Sequence, residues 1–203
     1  KNIVYIPNGA NIKENDKKII RNKKSLRLLF IGRLENVKGL EFLLKACAQI
    51  KNYHWNLDVI GNGSLKSELI RLHKELVLED RVTFHGSRKH EELKDFYRQA
   101  DLFVLPSLAE GQPISLLEAW SYGLPVLVSK VGDNPYMITD KKDGLLVIPG
   151  DVNDLTEKLK WCFNHQKQLL TLGQNGFKNI IEKYNWGKIT EKYYQMYKDI
   201  IKR

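Results

Sequence analysis

Leu102-Phe103-Val104-Leu105-Pro106-Ser107-Leu108-Ala109-Glu110-Gly111-Gln112-Pro113-Ile114-Ser115-Leu116-Leu117-Glu118 is the stretch on which the fold turns. Its first residues, Leu102 to Leu105, form an unbroken apolar run without the polar alternation of a half-exposed strand. Such a run predicts a strand in a sheet covered on both faces. Pro113, whose fixed φ suits a first helical turn, opens a predicted helix over Ile114 to Tyr122. Val126-Leu127-Val128, within a further strand from Pro125 to Ser129, is again purely apolar. Strand, helix and strand in this order are the repeating unit of an α/β protein.

The same alternation extends in both directions. Toward the N-terminus, Arg27 to Gly32 is an apolar run closed by glycine, and Leu40, Leu43, Leu44 and Cys47 follow at helical spacing. Strands at Trp55 to Ile60 and Val82 to His85 are each followed by a helical pattern, Leu65 to Leu76 and Glu91 to Gln99. Toward the C-terminus, Gly144 to Ile148 predicts a sixth strand, and Asp151 caps a helix with Val152, Leu155, Leu159 and Cys162 on one face. Residues 27–163 are therefore expected to form a doubly wound parallel sheet of the Rossmann-like α/β class, with helices over 164–203. In the last of these, Trp186, Ile189, Tyr193, Met196, Tyr197 and Ile200 keep the helical period, so it is expected to pack on something. At the other end Tyr5-Ile6-Pro7-Asn8-Gly9 reads as a buried or hinge strand and a turn with nothing before it, as though the chain began in the middle of a protein.

Composition narrows the function classes. A chain of 203 residues with 42% hydrophobic residues supports a real core, which argues against disorder. No apolar stretch reaches the roughly 18 to 20 residues of a membrane span, and Lys1-Asn2-Ile3-Val4 is no signal peptide. Cys47 and Cys162 fall on apolar helical stripes and read as buried free thiols, which suits a reducing cytoplasm. The net charge of +9 concentrates in two places. Lys13 to Arg27 carries seven basic residues against Glu14 and Asp16 with little apolar periodicity, and is expected to be an exposed loop. Lys178 to Arg203 spreads its charge over helix faces. A solvated surface accounts best for both, a weak attraction to an anionic membrane surface comes second, and nucleic acid is disfavoured, since its binders align cations along a groove interleaved with aromatics.

Open parallel sheets bind ligands beyond the carboxyl ends of their strands. After the first strand, Gly32-Arg33-Leu34-Glu35-Asn36-Val37-Lys38-Gly39 offers a tight turn and two cations suited to a phosphate at a helix start. Gly61-Asn62-Gly63-Ser64 allows close backbone approach, with Ser64 placed to cap the next helix, and Arg88 in Gly86-Ser87-Arg88-Lys89 could stack on a flat base. Pro113 puts Glu110 in the loop ahead of its helix and Glu118 a little over one turn inside it. Because helical side chains lean back toward the N-terminus, both carboxylates are expected to line one space with the free amides of Gly111 to Ser115. Carboxylates beside a phosphate site make sense if the ligand also presents hydroxyls, as a nucleotide-sugar does. A dehydrogenase is disfavoured by the missing Gly-x-Gly-x-x-Gly fingerprint.

At these residues the chain resembles the C-terminal domain of glycosyltransferase family 4, the group 1 glycosyltransferases, which are retaining enzymes of the GT-B fold. The resemblance runs from Asn8-Gly9 to the last helix. It is carried by Gly32-Arg33 with Lys38-Gly39, Val82-Thr83-Phe84-His85-Gly86, Ala100 to Ser107, the Glu110 and Glu118 pair, Gly123-Leu124-Pro125-Val126 and Gly144-Leu145-Leu146-Val147. It implies a single donor-binding domain over 1–203, with 1–26 as interdomain hinge and basic loop, and an N-terminal acceptor domain that is absent. It implies that Arg33 and Lys38 hold the donor diphosphate and, with Glu110, form the catalytic set. Glu118 would bind the ribose hydroxyls, and Glu110 with the amides of Gly111 and Gln112 the donor sugar. Amides near Ile114 and Ser115 would add phosphate contacts, Arg88 would face the base, and Gly9, Gly32, Gly61 and Pro113 would complete the donor site.

A UDP-, GDP- or ADP-sugar donor and a glycan or lipid-linked acceptor are implied, in a cytoplasmic enzyme peripheral at most to the membrane. No metal or other cofactor is implied, and no Asp-x-Asp occurs. Alone, the chain is expected to hold the donor without completing transfer. Two positions depart from the family: Gln112 stands where an aromatic is usual and Tyr136 where a Glu is usual. The alternatives are a nucleotide-binding module without transfer activity and a nucleotide-sugar epimerase of the same fold.

Overall fold

The computed structural model describes residues 3–13 and 25–201. The basic stretch read as an exposed loop falls mostly on 14–24, outside the described residues. Six strands, β1 (Ser25–Ile31), β2 (His54–Ile60), β3 (Val82–Gly86), β4 (Leu102–Leu105), β5 (Val126–Ser129) and β6 (Leu145–Val147), form one sheet in the order β3-β2-β1-β4-β5-β6. Every pairing is parallel, from Ser25 opposite His54 at one end of the β1/β2 ladder to Ser129 opposite Val147 between β5 and β6. This is the doubly wound, Rossmann-like α/β fold that the sequence predicts. The order reverses between β1 and β4, where the loops leaving neighbouring strands turn apart and open a crevice.

The helices are α1 (Leu40–Ala48), α2 (Lys66–Glu75), α3 (His90–Gln99), α4 (Ile114–Ser121), α5 (Asn134–Met137), α6 (Val152–Asn164), α7 (Gln166–Asn179) and α8 (Trp186–Ile201). Helix α1 packs on α2 and α6, and α4 on α7, so the sheet is covered on both sides. That is why all residues of β4 and β5 are buried, as their unbroken apolar sequences require. The α4–α7 contact is close: a Cβ added to Gly176 would sit 2.2 Å from the Trp120 ring. Asp151 caps α6, accepting from the amides of Asn153 and Asp154. Cys47 and Cys162 are buried free thiols, and burial raises both above the ordinary thiol range.

Several local expectations are corrected. Residues 3–9 form no strand; Ile3, Val4 and Tyr5 are exposed, and only Ala10 makes a lone bridge, to Asn185. Pro113 is the N-cap of α4, in extended backbone, rather than a residue of its first turn. Ser64 does not cap α2, because its backbone N–H and hydroxyl both donate to Glu35, at 2.8 and 2.6 Å. Helix α8 forms as its periodicity predicts, but Ile189 is its one buried residue among those described, and Tyr193, Tyr197 and Ile200 are exposed.

Candidate functional site

The loops after β1, β2 and β4 are brought together by glycines that let backbone meet backbone. Gly39 has φ of 66°, and a Cβ there would lie 2.0 Å from the Pro106 carbonyl oxygen, so the β1 loop presses directly on the end of β4. Only glycine fits such a left-handed, crowded position. Gly61, with φ of 139°, abuts the Gly32 carbonyl in the same way, which gives these two glycines a role in packing loop on loop. The Leu108 N–H donates to the Val37 carbonyl at 2.8 Å and fixes the β1 loop to the β4 loop.

Within this frame Lys38 runs its stem over Gly32, and its ammonium meets Glu110 Oε1 at 2.6 Å. The Ser107 hydroxyl donates to the same oxygen, also at 2.6 Å. The two ionic side chains are 17% and 7% exposed, so this is a nearly buried pair. Arg33, by contrast, is exposed, and no hydrogen bond or ion pair holds it among the described residues. Neighbouring Glu35 is held below the ordinary carboxylate range by its hydrogen bonds from Ser64, with a smaller contribution from Arg33.

Helix α4 begins beside this pair. Its N-terminus has no side-chain cap and no acidic residue in its first turn, an end left open to an anion. Glu118, inside α4, faces α3: the Tyr97 phenol donates to Oε2 at 2.8 Å, and His90 Nδ1 lies 3.2 Å from Oε1. The two carboxylates thus have separate partners. Beside Glu118 opens a cleft of about 180 Å³ whose walls include Asn8, Gly9, Lys13, His90, Ile114 and Trp186. Glu110 is not among its lining residues, so the single space expected for both carboxylates is divided between the Lys38 pair and this cleft. Gly9 is there because the Trp186 ring lies where a side chain would be, 2.9 Å from an added Cβ.

Gln112 reaches neither carboxylate. Its side-chain oxygen accepts from the Asn8 N–H, and its amide nitrogen approaches Met137 Sδ at 3.4 Å. The Gly111 carbonyl accepts from the Asp133 N–H at 2.9 Å, closing the loop on Gly132, whose φ of 53° and contact with the Glu110 carbonyl leave no room for a Cβ. Tyr136 is 88% exposed on α5. Arg88 is exposed and stands 3.9 Å from Glu92.

Sequence reasoning missed Tyr97, His90, Ser107 and Lys13 as neighbours of these groups. Tyr97 and His90 lie seven positions, about two helical turns, apart on α3, so a common face was legible, but that the face met Glu118 was not. Two other hollows lie elsewhere. One, about 160 Å³, is a groove between α1 and α2; the other, about 610 Å³ and open, lies toward the amino ends of β1, β2 and β4, where Arg27 is paired to Asp58 at 2.6 Å. No group of three or more side chains able to hold a metal ion occurs among the described residues, and no helix among them is long and apolar enough to cross a membrane.

Comparison with known proteins bears on this geometry. The family described as Glycosyl transferases group 1 matches residues 11–179. An uncharacterized glycosyltransferase of Methanocaldococcus jannaschii is 31% identical over 84% of this chain and 44% of its own. Sucrose-phosphate synthase from Thermosynechococcus elongatus superimposes with a TM-score of 0.84 at 30% identity, over 97% of this chain and 52% of that one. TarM of S. aureus, in a variant crystallised with fondaparinux, alpha-GlcNAc-glycerol and UDP, gives a TM-score of 0.84 at 25% identity, over 96% of this chain and 39% of that one. The chain spans about half the length of the curated relatives it matches, 44% and 54% in two of them.

Proposed function

The chain belongs to the group 1 glycosyl transferases, and from that premise we propose that it binds the nucleotide-sugar donor of a retaining glycosyl transfer. The observation that carries the proposal is the position of the Lys38–Glu110 pair and the open N-terminus of α4, at the carboxyl ends of β1 and β4, where the strand order reverses. In this reading a donor diphosphate takes Lys38 from Glu110. The released carboxylate then accepts hydrogen bonds from sugar hydroxyls, while the diphosphate also meets Arg33 and the α4 amides. Charge that develops on the departing nucleoside diphosphate falls on Lys38 and Arg33, which stabilise it electrostatically without a metal ion. Glu118 takes the ribose at the rim of the neighbouring cleft.

The acceptor and the second wall of the site are assigned to the part of the relatives that this chain does not span, so the chain alone binds donor without orienting an acceptor or excluding water. UDP in the TarM crystal supports UDP as the first probe. The test is calorimetric titration with UDP, GDP and ADP in the absence of metal, repeated on Glu118→Ala. Binding of one nucleotide, weakened at least tenfold by the substitution, is expected. Failure of all three at millimolar concentration, or an unaffected variant, would overturn the assignment.

A further inference from the structure

Tyr97 and His90 are not among the proposed donor contacts, yet between them they hold both oxygens of Glu118. The two holds differ in kind. Tyr97 is 2% exposed, its ring stacked on Tyr122 at 5.2 Å and tilted against Phe103 at 6.3 Å, so it has no room to change rotamer. Its hydroxyl has one proton, and the near acceptor is Glu118 Oε2 at 2.8 Å; the Ser115 carbonyl, at 3.4 Å, is a distant second. A buried phenol without an acceptor would be destabilising, so this bond persists whether or not a ligand is present. Burial first, and then the carboxylate itself, raises the phenol well above its ordinary range and keeps it a donor. The His90 side chain, in contrast, is 65% exposed at the first position of α3 and lines the cleft. It gives up its contact with Oε1 by turning into water.

We propose that Tyr97 is a positioning residue for nucleotide binding: it fixes Glu118 Oε2 so that Oε1 faces the cleft, where ribose hydroxyls displace His90. This rests on the reading that Glu118 holds the ribose. Without the phenol, the carboxylate would sample its other rotamers and lose the orientation that the hydroxyls need, while the rest of the nucleotide would be bound as before.

The experiment uses the 203-residue chain and whichever of UDP, GDP and ADP binds most tightly, with its 2′,3′-dideoxy analogue as second probe. Tyr97→Phe keeps the ring and is expected to weaken the parent nucleotide about five- to tenfold, leaving the dideoxy analogue unchanged. His90→Ala removes the group that the ribose hydroxyls displace, so this variant is expected to bind the parent nucleotide more tightly. Equal weakening of parent and analogue by Tyr97→Phe would make Tyr97 merely structural, and no weakening of the parent would remove it from the site; either result overturns the proposal, as does a loss in His90→Ala that matches Tyr97→Phe. Glu118→Ala serves as control: it should erase the difference between parent and analogue. If that difference survives, or never existed, the ribose assignment of Glu118 fails first and the role of Tyr97 falls with it.

Discussion

Replacing Lys38 with Met tests the ion pair at the base of the site. Methionine keeps an unbranched stem over Gly32 but removes the charge, leaving Glu110, 7% exposed, with the Ser107 hydroxyl as its remaining partner. Breaking a fully buried pair costs about 3–5 kcal/mol. Because the Lys38 side chain is 17% exposed, water reaches the gap, and about 2–3 kcal/mol is expected. For a chain of 203 residues, that corresponds to a melting temperature lower by about 4–12 °C. Glu110→Gln should cost less, about 1 kcal/mol, since its amide oxygen still accepts from Ser107 and Lys38 can turn to solvent. The double variant, with no charge left to strand, should be about as stable as Glu110→Gln alone, a coupling of about 2–3 kcal/mol. Urea unfolding of the four proteins measures the cycle. A coupling below about 0.5 kcal/mol would refute the claim that these side chains form one nearly buried unit.

Further outcomes follow from single positions. Glu110→Gln frees Lys38 from its competitor, so nucleoside diphosphate should bind as tightly as to the wild type or tighter, while the matching nucleotide-sugar loses affinity; titration with both ligands reads the difference. Gly176→Ala drives a methyl group into the Trp120 ring, 2.2 Å away, and should cost about 1–3 kcal/mol in urea unfolding. Cys47 and Cys162 should ignore a disulfide-exchange reagent in the native protein and react fully in denaturant. Because burial raises both thiols, the folded state keeps protons that the unfolded state releases, so stability should fall as pH climbs past about 8.5, by up to about 1.4 kcal/mol per thiol per pH unit.

The sheet was legible because Leu102 to Leu105 and Val126 to Val128 have no polar face to show and are too short for helices, the pattern of strands buried on both faces. The loops were legible as glycine and charge, since Gly32, Arg33, Lys38 and Glu110 follow strands at the positions where open sheets bind ligands. Which charge meets which was not legible. Lys38 read as a free phosphate ligand, whereas it is paired to Glu110, a contact between loops 72 residues apart. Ser64 read as a helix cap because local chemistry favours that role, but a tertiary acceptor, Glu35, took both of its donors. Tyr5 to Gly9 read as a strand from composition alone; the segment instead lies against Gln112 and Trp186. Periodicity gave α8 but not its surroundings, since amphipathicity states that a face is apolar and not what covers it.

The central claim is that a nucleotide binds where β1 and β4 part. The most direct measurement is a map of backbone amide shifts on titration with UDP. Perturbations are expected to concentrate in 8–13, 32–39 and 107–118 and at His90. Shifts centred instead on the groove between α1 and α2, or on the hollow around Arg27 and Asp58, would contradict it.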